Sequence, residues 1–339
     1  MKILVTLPKG SVSDTFLTPQ ALEKMRTLTD DITFNPHERH YTREELKEAI
    51  RDKDIVFCGW GSTRYDAEIL DEAPNLKVIA YVAGSVAAVA DAAIYERGIA
   101  MLGANCVFAE SVAECCICYT MVGLRRIEQY SKLMRDGGWK DGTFYNEGIM
   151  DRTIGLVGFG TVAKKFIEFL RPFKTRILVN DDYLTEETAA KYNVEKVSME
   201  EVFRTSDVVS IQHSLTDRTY HLVGREQLEM MKEGALLINT ARGSIINEPE
   251  LIEFLQTGRI NAVLDVYEQE PPLPDSILRK LPNVTLLPHM GGPTIDRRAY
   301  CTMALVDDIH KLFAGTKVEE LETYIPLSHV ANMTNGSRT

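Results

Sequence analysis

Three residues of complementary chemistry stand just past three short apolar runs in the last third of the chain. Arg242 lies in Leu237-Ile238-Asn239-Thr240-Ala241-Arg242-Gly243-Ser244, Glu270 in Leu264-Asp265-Val266-Tyr267-Glu268-Gln269-Glu270-Pro271-Pro272, and His289 in Leu287-Pro288-His289-Met290-Gly291-Gly292. A guanidinium is a planar, permanently charged fork that grips a carboxylate through two parallel hydrogen bonds. It also polarises a neighbouring keto oxygen, so its natural ligand is a 2-oxo acid. Taken singly, Arg242 reads as a helix-flanking charge and Glu270 as a surface acid before a diproline. Taken together, an Arg, a Glu and a His at three successive strand ends occupy the rim where an open α/β sheet builds its binding crevice.

A second constellation lies upstream. Thr153-Ile154-Gly155-Leu156-Val157 reads as a strand, and Gly158-Phe159-Gly160-Thr161-Val162-Ala163 follows it as Gly-x-Gly-x-x-Ala at the head of an amphipathic helix. In that context Gly158 permits a tight turn, Gly160 lets the backbone approach a pyrophosphate, and Ala163 lets the helix lie close on the strand. The helix N-terminus then faces the phosphates. The next strand runs into Asn180-Asp181-Asp182, placing an acid about 20 residues beyond the glycines, where ribose hydroxyls are held. Asp181 is the better placed. Its charge repels a 2′-phosphate and no Arg follows immediately to receive one, so NAD is expected as cofactor rather than NADP.

These residues need elements to position them. From residue 153 the strand candidates are Thr153 to Val157, Ile177 to Val179, Val208 to Ile211, Leu236 to Ile238, Ala262 to Leu264 and Val284 to Leu287, with helical patterns between them. Six such strands make a doubly wound parallel sheet. The first hundred residues alternate likewise, with strands at Ile3 to Val5, Ile55 to Cys58 and Val78 to Val82. Ala109 to Tyr130 reads as one long buried helix, Ile295 to Phe313 as another, Arg135 to Gly148 as a linker or arm, and Ser328 onward as a polar tail. Two domains with a cleft between them follow from the length of 339 residues.

At Asp207 to His213, Asn239 to Gly243, Asp265 to Pro271 and Pro288 to Gly292 the chain resembles the D-isomer-specific 2-hydroxyacid dehydrogenases, over nearly its whole length. The resemblance implies two Rossmann-like domains: a discontinuous substrate-binding one of residues 1–104 plus 297–339, and an NAD-binding one of 105–296. It implies hydride transfer between NAD(H) and a small 2-hydroxy/2-oxo acid pair. His289 would be the acid and base at the substrate's 2-oxygen, Glu270 its partner holding the imidazolium available, and Arg242 the clamp on carboxylate and keto oxygen. Asp265 would help place the nicotinamide carboxamide. The cofactor groove would take in Gly158, Phe159, Gly160, Thr161, Val162, Asp181, His213, Ser214, Leu215, Thr240, Ala241, Arg242, Asp265, His289 and Gly291. Ala83 and Gly84 would bind the substrate carboxylate by backbone amides, although the Asp usual two residues after that glycine is Val86 here. The family is commonly dimeric, with the arm around Trp139 reaching toward a partner. Two relatives of that fold compete: formate dehydrogenase, expected to carry Gln where Glu270 stands, and an NAD-sensing transcriptional corepressor, which needs a peptide cleft and extensions beyond those seen.

Composition narrows the classes. A net charge of −11 disfavours nucleic-acid and anionic-membrane partners, since both bind through clustered Lys and Arg. The 45% hydrophobic and 26% charged content is that of a compact globular chain. No secretory leader and no run of about 18 apolar residues is read, so a cytoplasmic location is expected. Six cysteines without paired CxxC spacing point to buried thiols rather than a metal site. Trp60 is expected either to pack in its domain or to limit substrate size at the cleft, and the remaining histidines are assigned nothing.

Overall fold

A computed structural model describes residues 1–142 and 145–333, with side chains to Val330. It divides into two compact units, one of Met1–Phe108 with the chain from Gly292 onward, the other Ala109–Gly291. The crossings thus fall at 108/109 and 291/292 rather than 104/105 and 296/297, so the first turn of the helix Asn105–Arg125 belongs to the first unit.

The first unit is built on five parallel strands: β1 (Ile3–Val5), β2 (Ile32–Phe34), β3 (Ile55–Cys58), β4 (Val78–Tyr81) and β5 (Ala100–Gly103), in the order β2-β1-β3-β4-β5. Strands β1, β3, β4 and β5 are buried along their whole length, because helices cover both faces of the sheet, and for that reason they are unbroken apolar runs rather than alternating ones. The helix Arg298–Phe313 closes one face through Cys301, Leu305, Val306 and Ile309. Beyond it, Tyr324 makes an antiparallel bridge to Leu102 on β5. The expected polar tail is instead a helix from Leu327 to Met333, with Val330 in the core; residues 334–339 lie outside those described.

The second unit holds seven parallel strands: β6 (Thr153–Val157), β7 (Arg176–Asn180), β8 (Glu195–Lys196), β9 (Val208–Ile211), β10 (Leu236–Asn239), β11 (Asn261–Leu264) and β12 (Val284–Leu286), in the order β12-β11-β10-β9-β6-β7-β8. The chain leaves β6 toward β7 and returns on its other side at β9, so the order reverses between β6 and β9. Ligands of doubly wound sheets lie outside the carboxyl ends of strands at such a reversal. Both units are therefore doubly wound parallel α/β sheets.

The expected single helix from Ala109 to Tyr130 is two helices, Asn105–Arg125 and Ile127–Arg135, broken where Arg126 turns to φ 50. By length and composition the first is apolar enough to cross a membrane, contrary to the sequence expectation. Its buried face, Ala113, Cys116 and Tyr119, packs on Ile154, Leu156, Leu236 and Val263 of the second unit's sheet. Among the described residues of the arm of 135–148 only the first is helical; residues 143 and 144 lie outside those described. Trp139 on it is 69% exposed.

Candidate active site

Strands β10, β11 and β12 each end in a loop that carries one of the three candidate side chains, Arg242, Glu270 and His289. After β10, the Asn239 side chain closes the turn by accepting the Ala241 N–H at 3.1 Å and donating to the Arg242 carbonyl at 3.0 Å. Arg242 rests one guanidinium nitrogen on the Ala241 carbonyl at 2.6 Å. Loss of hydration lowers its pKa and the charge of Glu270 acts the other way; a guanidinium stays cationic throughout.

After β11, Glu270 accepts the Tyr267 N–H at 3.1 Å through one carboxylate oxygen. Its other oxygen takes His289 Nδ1 at 2.6 Å, the distance of a charge-assisted bond. That bond assigns Nδ1 to the carboxylate, so Nε2 is the ring nitrogen that a ligand could meet. Both side chains remain partly open to solvent, as groups meeting a ligand must.

His289 itself sits at φ 51, in the left-handed region, which costs a non-glycine residue free energy and persists only where the surroundings impose it. Asp265 imposes it. Its buried carboxylate accepts the N–H groups of Met290 and Gly291, each at 2.8 Å, and the Tyr119 hydroxyl at 3.3 Å. The Tyr267 hydroxyl adds a second brace, sharing its one proton between the Leu264 and Leu287 carbonyls at 3.0 and 2.8 Å and accepting the Leu287 N–H at 3.0 Å. Burial pushes that hydroxyl up to about 12, so it stays a neutral donor.

The loops of Arg242 and Glu270 touch through backbone. A Cβ on Gly243 would lie 1.8 Å from the Tyr267 carbonyl carbon and 2.3 Å from the Glu268 nitrogen, so only glycine permits this approach. Asp265, Tyr267 and Gly243 thus hold the loops of the three candidate groups. Sequence reading quoted all three, yet gave none of them this task; the signal was a glycine, an acid and a tyrosine inside the same strand-end motifs.

On the other side of the order reversal, Gly158 adopts φ +110 and a Cβ there would lie 2.7 Å from the His213 nitrogen. At Gly160 an added Cβ would meet nothing nearer than the Gln212 carbonyl at 3.9 Å, leaving room above the backbone. The helix Thr161–Leu170 begins there with no side chain capping its amides, and Ala163 is fully buried against the sheet. Asp181 accepts the Phe159 N–H at 2.9 Å and the Tyr183 N–H at 2.8 Å, which pins the glycine turn to the end of β7. Asp182 holds Arg218 at 2.6 Å, a cation beside the acid pair that the local sequence did not reveal. His213 is kept below its ordinary pKa by burial, which outweighs the charges of Asp181 and Asp182.

Residues 117–291 match the NAD binding domain of the D-isomer specific 2-hydroxyacid dehydrogenases. The chain belongs to that family. It is 36% identical over 263 residues to a glyoxylate reductase of Thermofilum pendens, covering 76% of this chain and 77% of that protein. It is 32% identical over 282 residues to a D-3-phosphoglycerate dehydrogenase of Methanocaldococcus jannaschii, covering 83% of this chain and 53% of that protein. The chain therefore spans about half the length of that relative, as it does of the Archaeoglobus fulgidus counterpart. Among solved structures, a Thermus thermophilus protein superposes with a TM-score of 0.75 at 28% identity over 96% of this chain and all of that one. Rhodotorula graminis D-mandelate dehydrogenase shares the fold with a TM-score of 0.80 at 21% identity, over 96% of this chain and 97% of that one.

NAD is accordingly the cofactor of this family member, and the cradle fits it: an open backbone at Gly160, uncapped helix amides for a pyrophosphate, and an acid for the ribose. Other residues of the expected groove are placed differently from one another. Thr161 and Val162 form the first turn of the helix. Ser214 is engaged at its carbonyl by the Thr219 hydroxyl at 2.7 Å, and Leu215 packs against the core. The Thr240 side chain turns inward to Cys116 at 3.3 Å, so only its backbone is available to a ligand. Burial pushes the Cys116 thiol up to about 11, in keeping with packing rather than redox chemistry. In the first unit, Ala83 is fully buried and Gly84 lies against the Phe108 ring. Val86, where the family's Asp was missed, is buried in the core. Trp60 is 44% exposed and edge-on to Phe16 and Phe108 at 5.3 and 6.1 Å.

Proposed function

We propose that the protein is an NAD-dependent reductase of short 2-oxo acids, with glyoxylate or hydroxypyruvate as substrate and the D-2-hydroxy acid as product. The observation that carries the reading is the His289 Nδ1 to Glu270 Oε2 bond of 2.6 Å at the end of strands whose neighbour carries Arg242. Relatives named glyoxylate reductase and, in Thermotoga maritima, hydroxypyruvate reductase at 31% identity support the choice of a small substrate.

In this reading Arg242 grips the carboxylate and draws electron density toward the 2-oxygen, stabilising charge where it develops. The nicotinamide, when bound, supplies the hydride. His289 gives a proton from Nε2 to the 2-oxygen, and takes it back when the reaction runs toward the oxo acid. Glu270 holds the ring in the tautomer that presents Nε2. Asp265 acts through the loop by fixing Met290 and Gly291, and Asp181 receives the adenosine ribose. The reading is tested with a panel of 2-oxo acids and NADH, followed by loss of nicotinamide absorbance. Turnover of glyoxylate or hydroxypyruvate is expected; no turnover with any member overturns it and favours a binding role.

A further inference from the structure

A second histidine–glutamate pair lies beside the reacting one and bears on the same two loops. His221 Nε2 meets Glu268 Oε1 at 2.5 Å. The His221 backbone, held at φ 48, donates its N–H to the Ser244 carbonyl at 2.8 Å. Ser244 stands two residues past Arg242, and Glu268 two residues before Glu270. One residue therefore spans from the loop of the carboxylate clamp, through its backbone, to the loop of the proton-transfer pair, through its side chain.

The surroundings show why this span matters. Gly243 meets Tyr267 and Glu268 through bare backbone, so no interlocking side chain fixes how the loops slide on one another at that contact. Glu268 is further tied to Glu248, accepting its N–H at 3.1 Å and donating its own N–H to the Glu248 carboxylate at 2.9 Å. Two carboxylates thus lie side by side. Burial raises the pKa of Glu248; the Glu268 N–H bond works the other way, and the charge of Glu268 adds a smaller upward push. A donor placed on Glu268 offsets that repulsion, and His221, stacked on Tyr220 with ring centres 4.0 Å apart, is the donor the fold supplies. Tyr267 braces the Glu270 loop to the His289 loop through Leu287; His221 braces it to the Arg242 loop.

We propose that His221 is a positioning residue for the reaction, holding through Glu268 the register between Arg242 and Glu270. The proposal rests on the reading that these residues reduce a 2-oxo acid. A shift of about 1 Å between reacting groups costs on the order of a hundredfold in rate, so loss of the brace reads out in catalysis before it reads out in folding.

The test compares His221→Ala with His221→Gln, whose amide retains a donor for Glu268, in the full chain with NADH and glyoxylate. His221→Ala is expected to lower kcat/KM at least tenfold, through a raised KM for the oxo acid and a lower kcat, with the KM for NADH within twofold. His221→Gln recovers most of the loss. Should the Ala chain not fold, His221→Asn, too short to span to Glu268, takes its place. A kcat/KM within twofold of wild type overturns the proposal, as does a Gln variant no better than Ala. Hydrogen exchange at the Glu248 and Glu268 amides is measured in parallel and quickens if the brace exists. If the wild-type chain reduces no 2-oxo acid, the functional reading falls and exchange alone decides the brace: unchanged exchange at both amides overturns it.

Discussion

Gly243→Ala is the sharpest perturbation of the site because it alters no reacting group. The added Cβ would fall 1.8 Å from the Tyr267 carbonyl carbon and 2.1 Å from its oxygen, whereas ordinary carbon contacts begin near 3.4 Å. The loops of Arg242 and Glu270 must then part by roughly 1.5 Å, and no flexible side-chain end is available to yield. Misplacement of about 1 Å costs around a hundredfold in rate, so kcat/KM for the oxo acid should fall by at least that factor. Gly158, Gly160 and Asp181 lie on the β6 and β7 side of the sheet, remote from the change, so NADH binding should persist. The assay pairs steady-state reduction of glyoxylate with NADH affinity by fluorescence and a melting curve. A variant that folds, binds NADH and keeps kcat/KM within fivefold of wild type would refute the argument that backbone contact sets the spacing of the two loops.

Further outcomes follow from the same geometry. His289→Ala should abolish reduction while leaving NADH affinity nearly unchanged; parallel loss of both would contradict its assignment as the proton donor. Asp181→Ala should weaken NADH binding and relax rejection of NADPH, since Arg218 stands beside the vacated position on Asp182; an unaltered preference would remove Asp181 from that role. Asp308 tests stability in the first unit. Burial would raise its pKa, yet bonds from Lys311 and from the Thr323 N–H and hydroxyl outweigh this and hold it below the ordinary value. A depressed carboxylate pKa stabilises the fold above the unfolded value near 3.9 and loses that contribution as pH falls through the folded value. Asp308→Asn should therefore lower the melting temperature by several degrees at neutral pH, with the deficit shrinking below about pH 4; a deficit independent of pH would count against the ionic account.

Much of this was readable in advance where a local pattern has one physical meaning. Gly158, Gly160 and Ala163 after an apolar strand, with Asp181 about 20 residues on, specify a phosphate cradle because turn, approach and packing each demand a small residue at a fixed step. The central strands were legible because burial on both faces makes them continuous apolar runs. Strands β2 and β8 were missed since each lies at a sheet edge and is largely exposed, and β5 because Ala-Met-Leu-Gly has little intrinsic preference for extended structure.

The amino-acid order by itself determined which chemical groups this protein has, the period of its elements and the strand ends from which Arg242, Glu270 and His289 project. Tertiary structure alone decided how those groups are held: the left-handed turn at His289 imposed by Asp265, the glycine contact between two loops, the pairing of His221 with Glu268, and the nearness of Arg218 to Asp182. Each joins residues 24 to 47 positions apart. No sequence period marks such pairs, because they arise where the carboxyl ends of strands one or two places apart in the parallel sheet come together after long connections.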